Sequence, residues 1–148
     1  MLLEHIKDFS PEVWATSHAS CQDDWRLIAR IYKPAVVLYC LLSLQNVSLL
    51  PLNLDLLDVR TVYADQLLLS LHQTSASPEA KKMIMWPLIV AGIAVTKARP
   101  FVAQQLEELS RDLGTPMPLM ANVVLEKFWA SGMTGWDDCF DRPYAFVA

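Results

Sequence analysis

Thirteen consecutive residues, Met83 to Val95, carry no charged side chain, and Trp86 supplies their single polar side-chain group. Lys81 and Lys82 precede the run; Thr96, Lys97 and Arg99 follow it. A helical membrane crossing needs about 20 apolar residues, so this run is too short for one. Water cannot be allowed to wet it, and the remaining option is a helix covered on most sides by other elements. We therefore expect a buried central helix over residues 79–98. Pro87 should bend it, and Gly92 should admit a close neighbour.

The rest of the chain can supply the cover. It has 148 residues, 53% hydrophobic and 19% charged, which suits one packed domain rather than a disordered segment. Ser10-Pro11-Glu12 is a helix-start signal, because Ser can cap and Pro suits the first turn. Residues 1–20 are otherwise weakly periodic and are expected to pack loosely. Residues 22–45 read as a long helix with Trp25, Ile28, Tyr32, Val36, Tyr39 and Ser43 on one face. Pro34 should kink or break it near Lys33. A leucine-rich connection from Asn46 to Asp55 leads to a helix over Leu56 to Gln73. Ser77-Pro78-Glu79 repeats the start signal. Pro100 opens a helix to Leu113 with Gly114 at its end, and Pro118 opens one to about Ala130 with Gly132 at its end. Gly135-Trp136-Asp137-Asp138 starts a last short helix. No strand pattern competes, so residues 1–148 are expected to form a single all-α domain. It should be an irregular bundle of about six helices.

From residue 85 to residue 140 the order of motifs is specific. Trp86-Pro87 runs into Ala91-Gly92; Leu106-Glu107-Glu108-Leu109 follows. Val124-Leu125-Glu126 then precedes Trp129, with Gly132 and Trp136 beyond. This order resembles the C-terminal part of the fungal-specific transcription factor domain that accompanies Zn2Cys6 DNA-binding modules, and residues 25–45 resemble an earlier helix of it. The three cysteines, Cys21, Cys40 and Cys139, are scattered, whereas the DNA-binding module needs six clustered ligands. The resemblance thus implies a helical remnant without the part that reads DNA. A net charge of −4, with 12 basic residues spread along the chain, also disfavours direct nucleic-acid binding. Widely spaced thiols suit an intracellular compartment. That means the cytoplasm, or the nucleus if the chain is regulatory. No membrane span is expected.

Three chemistries have no residues to support them. His5, His18 and His72 share no ligand spacing with one another or with the cysteines, so no metal is expected. No Gly-x-Ser-x-Gly occurs, and Gly92, Gly114, Gly132 and Gly135 form no phosphate loop, so no cofactor is expected. Two patterns remain. Asp58, Asp65 and His72 recur at seven-residue intervals; the commoner origin is a solvent-facing strip, and the alternative is an acid–base pair of Asp65 and His72. Trp25, Tyr32 and Tyr39 form a stripe that suits core packing or the wall of a pocket.

Two functions follow as expectations. The first is a protein that binds a hydrophobic small molecule. As a cofactor-free cyclase or isomerase of fungal secondary metabolism, it would promote a reaction such as an intramolecular Diels–Alder closure by orientation alone. Tyr32, Tyr39, His72 and Asp65 would be its catalytic groups; Trp25, Tyr63, Trp86, Arg99 and Trp129 would bind the substrate. The alternative is a regulatory fragment of a transcription factor that does not bind DNA. It would act as a homodimer or by pairing with a full-length factor.

Overall fold

A computed structural model describes residues 2–17, 22–46 and 54–140. Among them nine α-helical segments and no strand occur. They are α1 (Leu2–Asp8), α2 (Pro11–Thr16), α3 (Gln22–Asn46), α4 (Leu54–His72), α5 (Pro78–Lys81), α6 (Met85–Ala94), α7 (Arg99–Leu113), α8 (Met117–Ser131) and α9 (Trp136–Cys139). The all-α architecture is the expected one. The leucine-rich connection lies mostly outside the described residues, as do Cys21 and His18.

The apolar run forms α6, and seven of its residues, from Pro87 to Ile93, are buried. α3 and α4 cover it on one side, α7 and α8 on the other. Its extent corrects the expected 79–98. α5 ends at Lys81 and a turn intervenes. After Ala94, Val95 turns extended (φ −128°, ψ 103°) before a 3-10 turn at Thr96–Ala98. Pro87 explains the first break. Inside a continuous helix its ring would strike the carbonyl four residues back, and one hydrogen bond would be lost. A start at Met85 puts Pro87 in the first turn, where N–H groups have no intrahelical partner to lose.

Pro34 was expected to kink or break the long helix near Lys33; α3 runs through it without a break. Ile28, Ala29 and Ile31 before the proline are buried, and so are Ala35, Val37, Leu38 and Leu41 after it. Packing on both sides of the defect outweighs one missing backbone bond. α3 touches α1, α2, α4, α5, α6 and α9, so it is the shared wall of the domain. Its stretch Gln22–Leu44 is long and apolar enough to cross a membrane by length and composition. Half of its most apolar window is instead buried against other helices.

The helix ends follow the sequence signals. Ser10 accepts from the Val13 N–H and Ser77 from the Ala80 N–H, each with proline at the next position. Gly114 (φ 64°) and Gly132 (φ 73°) end α7 and α8 in the left-handed conformation that glycine adopts without strain. Gly92 has a different role. A Cβ there would lie 3.2 Å from a Val102 methyl and 3.3 Å from both Leu125 and Trp129. Its missing side chain lets α7 and α8 close on α6. Gly92→Val should therefore overpack this junction and lower unfolding stability by about 1–3 kcal/mol, read by urea denaturation.

Candidate functional site

An apolar hollow sits where the α1–α2 connection, α2 and α3 meet the turn before α6. Phe9, Trp14, Trp25, Ile28, Ala29, Tyr32 and Met83 line this open depression of about 360 Å³. Each wall has a polar tether. Lys33 Nζ donates to the Lys7 and Phe9 carbonyls at 2.7 and 2.8 Å, tying down the end of α1. Arg30 donates from Nε and Nη2 to one Glu12 carboxylate oxygen, at 2.9 and 2.7 Å, holding α2 against α3. With α2 so placed, Trp14 meets Trp25 edge-on at 5.7 Å, and Phe9 lies 6.3 Å from Trp14.

The remaining wall is built by Tyr32. Its hydroxyl donates to the Met83 carbonyl at 2.8 Å, and its ring stacks on Trp86 at 5.9 Å and 18°. Burial pushes the Tyr32 phenol above its usual range, so it stays a neutral donor at physiological pH. Asp24 accepts from the Ser77 hydroxyl and fastens the start of α5 to α3. Tyr39 continues the aromatic array, edge-on to Trp86 at 5.7 Å and to Trp136 at 4.9 Å.

Of the residues singled out from sequence, Trp25 and Tyr32 meet in the hollow, and Tyr39 and Trp86 lie behind Tyr32. The others lie apart. Tyr63 lines a separate hollow of about 310 Å³ with Arg30, Lys33 and Pro34. Trp129 Nε1 donates to the Gly92 carbonyl at 2.8 Å, and Arg99 stands 5.6 Å from the Trp129 ring. Asp65 accepts from Lys97 at 3.2 Å, with both side chains more than half exposed. His72 stacks on Phe101 at 4.1 Å; its Nδ1 lies 2.6 Å from the Leu68 carbonyl and must be the donor there. Asp65 and His72 each have another partner, and seven residues of helix set them about 10 Å apart along the axis. Among the described residues no three His, Cys, Asp or Glu side chains gather as metal ligands.

Phe9, Trp14, Ile28, Ala29 and Met83 were not foreseen as lining residues. Trp14 follows the Ser-Pro-Glu signal and Met83 opens the apolar run, but nothing local to either indicates that they face each other. Arg60 was also missed: it donates to the Ala94 carbonyl at 3.0 Å, closing the far end of α6.

The sequence matches the fungal-specific transcription factor domain over residues 2–145. It is also 45% identical, over 150 residues, to the phomenoic acid biosynthesis cluster-specific transcriptional regulator of Leptosphaeria maculans. That alignment covers 99% of this chain and 29% of the regulator, so the chain spans less than a third of its relative's length. No solved structure matches. These likenesses overturn the expectation of a cofactor-free cyclase or isomerase, because the relative and the matching domain both belong to transcriptional regulation. They support an intracellular setting; the cytoplasm in particular gains nothing from them.

Three outcomes test the geometry. The Arg30 guanidinium holds the Glu12 carboxyl below the usual glutamate range, mainly through its hydrogen bonds. A lowered carboxyl pKa adds stability above the unfolded-state pKa and loses it as pH falls through the folded-state value. The melting-temperature gap between the parent protein and Glu12→Gln should thus be widest at neutral pH and close under acid. Tyr32→Phe should cost about 1 kcal/mol through the lost bond to Met83. Lys97→Ala should stay within about 0.5 kcal/mol, since its ion pair is exposed. Urea titrations of both variants would separate the two.

Proposed function

The chain belongs to the fungal-specific transcription factor domain family, and we propose that it is the regulatory part of a biosynthetic gene cluster's transcriptional regulator. The observation that carries this reading is the 45% identity to a cluster-specific regulator across 99% of the chain. The alignment extends over nearly the whole chain, so the likeness spans every described helix. In this reading the chain works in the nucleus and acts through protein or small-molecule contacts. Reading DNA directly falls to other residues of the regulator. The net charge of −4 supports that division, since phosphate binding draws on clustered cations.

Deleting the gene in its native host and sequencing the transcripts would test this. A coordinated fall in one neighbouring set of biosynthetic genes is the expected result. Unchanged transcript levels throughout that neighbourhood, under conditions where the set is normally active, would sink it.

A further inference from the structure

We propose that α1 and α2 form a clasp on α3 that opens as one unit while α3 to α9 stay folded. This goes beyond the regulatory reading above and assigns a conformational device to the fold.

Little burial holds the clasp down. Among the described side chains of α1 and α2, Ala15 alone is buried, whereas α6 buries seven of its ten residues. Trp14 and Trp25, whose rings meet across the junction, are only half-buried. Helices of seven and six residues are too short to hold their shape unaided, so both depend on what they rest on. That support is chiefly α3. Peeling the pair away leaves the contacts among the remaining helices in place.

The polar ties are concentrated at one place. Lys33 Nζ reaches the Lys7 and Phe9 carbonyls at the end of α1. Arg30, one turn earlier on α3, reaches Glu12 in the first turn of α2. Only Phe9 and Ser10 separate the two helices, and Ser10 also caps α2. The ties grip both sides of this short link, so α1 cannot lift without drawing α2 with it. The Arg30–Glu12 pair is about half exposed on each side, and such pairs contribute little. The flanks of α6 are buried instead, and its end carbonyls are bonded by Trp129 and Arg60. Segments with little burial and exposed ties open at lower free energy than a sealed core. Opening uncovers Ile28 and Ala29 of α3, which share the depression with Phe9 and Trp14. The domain can thereby change the surface it presents with its core intact.

Hydrogen–deuterium exchange of the full chain, read by mass spectrometry, tests this. Peptides from α1 and α2 should share one protection factor, at least about tenfold below that of α6. Lys33→Met keeps the aliphatic stem and removes the donor. It should lower protection about fivefold in α1 and α2 alike, as the net loss of a hydrogen bond would, and leave α6 to α8 unchanged. Arg30→Met, which cuts the other tie, should give the same two-helix pattern. Lys97→Ala, on an exposed pair elsewhere, is the control and should change neither helix. Protection in α1 and α2 equal to that in α6, or unchanged in Lys33→Met, would overturn the proposal. So would a loss of protection confined to one of the two helices, or spread over the whole chain. Circular dichroism melts confirm that the variants fold. The readout involves no transcription, so its failure and that of the gene deletion are distinguishable.

Discussion

A helix with no charged residue, buried on nearly every side, has to be sealed along its flanks and satisfied at its ends. The flanks of α6 are closed by Ile31, Leu38 and Leu67 from α3 and α4, and by Val102, Leu106 and Leu125 from α7 and α8. Area burial alone can do this, since each fully buried aliphatic side chain contributes roughly 1.5–3 kcal/mol. The ends are harder. The last carbonyls of a helix have no partner within it, and leaving one dry costs about 1–3 kcal/mol. Other helices supply donors: Trp129 to the Gly92 carbonyl and Arg60 to the Ala94 carbonyl, with Tyr32 closing on Met83 before the first turn. Burial lowers the Arg60 pKa, which marks how far that cation has been drawn inward to serve.

This division of labour explains why several residues look functional in sequence. A tyrosine or tryptophan amid leucines suggests a polar tip aimed at a ligand. In Trp129 the tip is aimed at a carbonyl left over by the buried end of α6, and in Tyr32 at a carbonyl of the turn before it. Both readings predict the same local pattern, and only the tertiary position of α6 separates them. His72 and Asp65 illustrate the other case. Their seven-residue spacing places them on one helix face, but the partners that engage them, Phe101 and Lys97, come from segments whose approach no local pattern encodes.

Helix starts and stops were legible because their causes are local. A serine hydroxyl capping a proline-led turn, or a glycine taking positive φ, depends on a handful of neighbouring atoms. The outcomes at the two internal prolines depend on distant ones. Pro34 is tolerated because α2, α4 and α6 hold the helix on both sides of it. Pro87 shifts the start of α6 because the preceding turn can be fastened elsewhere, through Ser77 to Asp24 and Met83 to Tyr32. The family was legible from the order of Trp86-Pro87, Leu106 to Leu109 and Trp129. The inference from missing cysteines to an enzyme failed for a different reason. A chain matching 29% of a regulator carries no information about what the other residues of such a protein do.

The hollow and the turn that leads into the core helix share a residue, Met83. Met83 offers its side chain to the rim and its carbonyl to Tyr32. α2, which bears Trp14, is only six residues long and is held to α3 in part by the exposed Arg30–Glu12 pair, whereas α6 is held by the burial of seven of its ten residues. Exposed ion pairs contribute little, so the Trp14 wall is the side of the hollow that can yield at low cost. The Tyr32 wall cannot, because shifting it strips a donor from the turn and unstacks Trp86.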